Sequence, residues 1–195
     1  MIYSINFPST DLQKEVLAEY ESIKDKKKAL LTRMSISAAQ LTPNERNKII
    51  QELSHYAQTD LICYREAKDA ELIARQNKVW NPAIEWAAEN LQFKLEITSG
   101  IMPIEQKIPH AAKLLEEFDN WRLIPLAQLI TACGSFVLGL MVAKQAITPT
   151  EATACALLEY SYQQERWGLD DEEIDRQKEI STTMQAAAKF LTLLK

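Results

Sequence analysis

The chain has 195 residues, 47% of them hydrophobic and 25% charged, with a formal net charge of −5. That is enough chain to bury an apolar core in one main domain without staples. The acid excess excludes a reader of phosphate backbones, which needs clustered Lys and Arg. Four Gly are too few for a loop-rich or all-β fold. The three widely spaced cysteines, Cys63, Cys133 and Cys155, sit in apolar settings and read as reduced thiols.

In chain order, MIYSINF alternates weakly and predicts a short strand, closed by Pro8. Thr10-Asp-Leu-Gln13 has the form of a capping box and opens a helix to about Ile23. The basic run at 24–28, broken by Asp25, reads as a solvated helix end, and 28–40 as a further helix. Thr42-Pro43-Asn44-Glu45 combines a cap residue, Pro in the first turn and Glu three residues on, and predicts a helix to about Gln58. TDLICYR (59–65) reads as a connector or short helix. Asp69 to Val79 predicts one helix, and Asn81-Pro82 the start of another through Trp86 and Leu91. Phe93 to Ile97 alternates as a second minor strand would. A helix follows from about Pro109 to Phe118.

Asn120 reads as the cap of a long apolar helix to about Gln145. Thr148-Pro149-Thr150-Glu151 repeats the strong start signal, for a helix ending at Gly168. Asp170-Asp-Glu-Glu173 has the form of a last capping box, with the final helix running nearly to Lys195. The sum is a mainly α protein, a bundle-like helical domain with a short N-terminal segment and one or two minor strands.

Residues 123–143 carry no charged side chain over about the length of a membrane span. They also hold Pro125, Gln128, Thr131, Gly134, Ser135 and Gly139. A helix apolar all round is equally what the centre of a bundle looks like, so a buried helix is the preferred reading and no stable membrane insertion is expected. Ala127, Thr131, Ser135 and Gly139 recur every four residues, a ladder that lets a second helix approach closely. The N-terminus shows no basic start and no long apolar run, so no leader or transit peptide is expected.

No phosphate loop, dinucleotide fingerprint, CxxC, HExxH or GxSxG is present. His55 and His110 lack ligand-spaced neighbours. The acids at 170–173 are accounted for by the helix dipole. No catalytic residue, cofactor or metal is expected.

What remains is LLEYSYQQERWG (157–168). Glu159 shares a helix face with Ala152, Cys155 and Ala156, while Tyr160, Gln163, Gln164 and Trp167 form a neighbouring amphipathic stripe. Aromatic residues among polar ones suit a protein-contact surface, where charges confer specificity. The competing reading is that Tyr160 and Trp167 close the core, with Glu159 paired internally.

Four stretches in order, TDLICYR (59–65), RQNKVWNPAIEWA (75–87), FDNWRLIPLAQLITACGSFVLGL (118–140) and EYSYQQERWG (159–168), resemble the family of assembly chaperones for the α subunit of the F-type ATP synthase. The resemblance covers about Pro8 to the C-terminus. It implies a non-enzymatic chaperone with a small β-rich N-terminal part and a larger helical domain, which holds the free α subunit before the hexamer forms. The matching positions are Asp60, Tyr64, Arg65, Gln76, Trp80, Pro82, Trp86, Trp121, Glu159, Tyr162, Gln163, Trp167 and Gly168. An acidic cluster in the last motif carries function in the family. Three departures stand out. Met1 falls near the end of the family's β region, Tyr160 and Ser161 follow Glu159 where acids are frequent, and Tyr20 stands where Trp is frequent.

The expectation is therefore an N-terminal segment over 1–41 and a helical chaperone domain over 42–195. Glu159, Tyr160, Gln163, Glu165, Arg166 and Trp167 are expected to meet the partner, the ATP synthase α subunit. Asp60, Tyr64, Arg65, Trp80, Pro82, Trp86, Trp121 and Gly168 are expected to be structural. The chain is expected to be monomeric when free and to work in a bacterial cytoplasm. The alternative is a small-molecule-binding or enzymatic bundle with a pocket lined by Trp80, Trp86 and Trp167.

Overall fold

The computed structural model describes residues 2–99, 104, 106–168 and 171–195, with Asp171 described in its backbone only. Its helices are α1 (Thr10–Ser22), α2 (Leu30–Gln40), α3 (Pro43–Gln58), α4 (Ala70–Leu91), α5 (Ala111–Glu116), α6 (Asn120–Cys133), α7 (Phe136–Ala143), α8 (Pro149–Ala156), α9 (Leu158–Trp167) and α10 (Asp171–Thr192). Two-residue strands β1 (Tyr64–Arg65) and β2 (Thr98–Ser99) pair in parallel, Tyr64 with Thr98 and Arg65 with Ser99. The protein is mainly α, as its pattern predicts.

The centre is the apolar stretch. α6 and α7 bury Leu123, Leu126, Leu129, Ile130, Phe136, Leu138 and Leu140 completely. α10 and α2 pack along α6, α3 and α4 flank α7, and α8 bridges α7 and α10. Ile2, Leu12, Val16 and Leu31 join the same core, so the segment over 2–41 packs into it.

The stretch is not one helix to Gln145. It breaks at Gly134, which takes φ +66, and Ser135 then caps α7 through Leu138 N at 3.0 Å. Glycine occupies that left-handed position without steric cost. The chain therefore reverses inside the core, and no described helix is long and apolar enough to cross a membrane. The break also splits the small-residue ladder. Gly139 of α7 abuts Ile130 of α6, where an added Cβ would meet Ile130 Cγ1 at 2.5 Å. Thr131 instead faces out, its hydroxyl donating to Ala127 O.

Capping chemistry decides most helix starts. Thr42 and Thr148 form complete capping boxes with Glu45 and Glu151. Ser9, not Thr10, caps α1, accepting from Asp11 N and Leu12 N. Asp119, not Asn120, caps α6 through Arg122 N at 2.9 Å. In both cases the competing neighbour lies one residue inside the helix. The box at 170–173 falls partly outside the described residues.

Three further expectations are corrected. Ile2–Ser4 is a 3-10 turn, not a strand. The second strand lies at Thr98–Ser99, beyond Phe93–Ile97, because Phe93 turns into the core against Phe136 at 5.9 Å. α4 runs unbroken through Pro82. Proline removes one helix hydrogen bond, but Pro82 and Lys78 face solvent, where water can satisfy the freed carbonyl. Trp80, Ala83 and Ala87 meanwhile bury one continuous face. The helix expected over 149–168 is likewise divided at Leu157, whose backbone (φ −96, ψ 11) bends α8 into α9.

Candidate functional site

α9 lies against the first half of α4, and two layers of polar contact join them. The outer layer is charged. Asp69 caps α4 with one oxygen, accepting from Glu71 N and Leu72 N, and with the other takes the Tyr162 hydroxyl at 2.7 Å. Arg166 reaches Asp69 and Glu71 at 3.1 Å each. Arg75 bridges Glu71 on its own helix at 2.9 Å and Glu165 on α9 at 2.8 Å. The two guanidinium groups flank the Tyr162 ring at 4.9 and 4.4 Å from its centroid. Burial and the bond to Asp69 push the Tyr162 phenol up to about 12. The Tyr162 bond and Arg166 hold Asp69 low, and Arg75 does the same for Glu165.

The inner layer centres on Gln76, which is fully buried. Its side-chain oxygen accepts Glu66 N at 2.8 Å, and its amide donates to Glu159 Oε1 at 2.6 Å. Its backbone carbonyl accepts Arg65 Nη1 at 2.7 Å. Arg65 is buried, bonds Asn81 Oδ1 at 3.2 Å, and lies 5.0 Å from the Trp80 ring centroid. Trp80, fully buried, donates its indole N–H to Cys155 O at 2.9 Å.

Glu159 is half-buried. Burial raises its pKa, opposed by the Gln76 hydrogen bond and assisted by the nearby Glu66 charge. The acid is thus paired inward through one oxygen, to Gln76, without being fully buried.

The other expected contact residues spread along α9. Glu165 and Arg166 are spent on the clamp to α4. Gln163 is exposed, and Tyr160 is half-buried beneath Arg176 of α10 at 5.0 Å. Trp167 does not close the core. It is 76% exposed on the last turn, followed by the Gly168 cap at φ +86. The aromatic that closes this end is Tyr162, 3% exposed.

Asp60, Tyr64 and Arg65 sit on the connector that threads beneath α7. Asp60 is completely buried and accepts Ile62 N at 3.2 Å and Val137 N at 3.0 Å, at the α7 N-terminus. Desolvation nonetheless raises its pKa to about 6, against the Ser135, Val137, Ile62 and Phe136 hydrogen bonds. The Cys133 thiol beside it is pushed up to about 12 by burial. Trp121 stacks on Phe190 of α10 at 6.3 Å, and Trp86 is half-buried on α4.

The tryptophan-lined pocket does not form, because Trp80 is sealed in the core and Trp167 projects from the surface. A groove of about 1090 Å³ between α2, α3 and α6 is lined by Ile36, Leu41, Ile49, Tyr56 and Ile124, with no tryptophan. Among the described residues no three His, Cys, Asp or Glu side chains converge as a metal site would need. Gln76 and Tyr162 entered the sequence reading only as matched positions, Asp69 only as a helix start, Arg75 only as the first residue of a matched stretch, and Glu71 not by name. The Glu71–Arg75 spacing signals a helix pair, but nothing local says that α9 answers it.

Residues 3–88 match the family model described as ATP12 chaperone protein. A mitochondrial protein atp12 of Schizosaccharomyces pombe is 24% identical over 158 residues, covering 75% of this chain and 54% of that protein. The chain therefore spans about half the length of that curated relative. The crystal structure of Atp12 from Paracoccus denitrificans superposes with a TM-score of 0.90 at 28% identity, over 98% of this chain and 84% of that one. A candidate chaperone from Agrobacterium tumefaciens does so at 0.89 and 26%, over 96% and 73%. Family model, curated relative and solved structures agree in one likeness: over residues 3–88 in the family model, and over nearly its whole length in fold, the chain resembles the ATP12 chaperones.

Proposed function

We propose that the chain is a non-enzymatic assembly chaperone that binds the free α subunit of the F-type ATP synthase and keeps it from aggregating until the hexamer forms. A subunit awaiting assembly exposes apolar surface that its partners later cover, and such surface aggregates. Covering it reversibly takes a rigid, complementary face and no chemistry. The observation that carries the reading is Glu159, which among the described residues has no cation of its own, while its neighbours Asp69, Glu71 and Glu165 are all paired with Arg75 or Arg166. Tyr160, Gln163 and the exposed Trp167 extend that surface. Residues 42–195 would supply the client-binding part and 1–41 a supporting segment. The chain would act as a monomer, in the compartment where the α subunit folds.

The test is stoichiometric. Purified α subunit diluted from denaturant should remain in solution with an equimolar amount of this chain and elute with it as a complex. Undiminished light scattering, with no complex, would overturn the reading.

A further inference from the structure

We propose that Gln76 is the positioning residue of the client-facing acid, fixing Glu159 so that its Oε2 is left for an N–H donor, an arginine or lysine head, on the α subunit. This rests on the chaperone reading above.

The orientation of the Gln76 amide is dictated by its surroundings. The Glu66 amide is a donor, so the atom 2.8 Å away must be the Gln76 oxygen, and the Gln76 NH2 must face Glu159. Arg65 grips the backbone carbonyl of the same residue from inside the core. A fully buried side chain held at both ends and at its backbone has no rotamer freedom left to lose when a partner docks, which is what a preorganised contact requires.

The contact is also selective. Asp69, Glu71 and Glu165 each meet Arg75 or Arg166. Among the described residues Glu159 has no ion pair, and Oε2 takes no hydrogen bond. A cation at position 76 would have fixed the acid and cancelled its charge. A neutral amide fixes it and leaves the charge available. Gln76 reaches no surface of its own, so any effect it has on capture must pass through its neighbours.

The experiment uses the whole chain with Gln76→Met, matched in length but without donor or acceptor, and with Glu159→Gln alone and combined. The readouts are the carboxyl 13C titration of Glu159 and capture of purified α subunit. In folded Gln76→Met, Glu159 should titrate higher, because a hydrogen bond to its charged form is gone. Capture should weaken about tenfold, and on the Glu159→Gln background Gln76→Met should weaken it no further. Wild-type capture by Gln76→Met, or losses that simply add, would overturn the proposal. If the wild-type chain captures no α subunit, the chaperone reading falls, and the titration decides the positioning role: an unmoved Glu159 curve in Gln76→Met ends it. Should Gln76→Met not fold, Gln76→Glu keeps the shape. Burial and the neighbouring acid keep the new carboxyl protonated and donating to Glu159, so capture should be lost as pH rises through its deprotonation, where the wild type still captures. Capture that follows the wild-type pH profile would equally overturn the proposal.

Discussion

The indole N–H of Trp80 donates to the backbone carbonyl of Cys155 at 2.9 Å, across 75 residues of chain. The bond ties the middle of α4 to the last turn of α8, where a helix leaves carbonyls without partners. It fixes where α9 begins, and so where Glu159 stands relative to Gln76.

Trp80→Ala should therefore be among the most damaging single changes in the chain, costing about 3–5 kcal/mol for the emptied volume and removing the bond to the Cys155 carbonyl. Trp86, two turns on but half-buried, should cost clearly less when changed to Ala. Urea denaturation of the two variants checks the order. Equal losses would mean that the Trp80 ring is not the anchor its burial indicates.

Gly139→Ala probes the α6–α7 reversal. The added methyl would overlap Ile130 Cγ1 and crowd the Ile130 backbone at 3.0 Å. Overpacking of this kind costs about 1–3 kcal/mol, although alanine is the better helix former. A variant as stable as wild type would show that α6 and α7 can slide apart freely.

Asp60 should give stability an acid-side slope. Its folded pKa, about 6, lies above the ordinary aspartate value of 3.8. Its contribution is therefore complete below about pH 4 and is lost as pH rises through 6. At most this amounts to about 3 kcal/mol between those limits. The Asp60 carboxyl 13C resonance should titrate near pH 6. Asp60→Asn should flatten this part of the pH profile, yet destabilise at pH 5, since an amide cannot accept from both Ile62 and Val137. A carboxyl resonance already ionised at pH 4.5 would refute the buried-acid account.

Glu159→Gln keeps the shape and an oxygen for Gln76, so stability should move by no more than about 0.5 kcal/mol, while capture of the α subunit falls. Glu159→Lys should lose capture as well and should also destabilise, by about 1–3 kcal/mol, because it breaks the Gln76 contact and strands that amide. In the wild type, capture should weaken as pH falls through the raised pKa of Glu159, earlier than for a free glutamate. Parallel melts and binding assays read all three outcomes. Full capture by Glu159→Lys would remove the residue from the site.

The helical class, most helix termini and the burial of residues 123–143 follow from the sequence, because they depend on local chemistry. Thr42 and Thr148 find their partners within three residues, and a run without charge turns most of its side chains inside. The four motif stretches likewise pointed to the family that the chain resembles. Tertiary structure decided what local chemistry leaves balanced. Pro82 reads as a helix start, yet α4 passes through it, because the face carrying Trp80, Ala83 and Ala87 is buried as one piece while the lost bond faces water. Gly134 is small enough for a close-packed helix and flexible enough to end one, and the choice fell to the reversal that packs Gly139 on Ile130. The roles of Gln76 and Tyr162 depend on α9 lying against α4. The pairs Gln76–Glu159 and Tyr162–Asp69 are separated by 83 and 93 residues. A contact between side chains that far apart has no periodicity of its own, and only the packed core brings them within bonding distance.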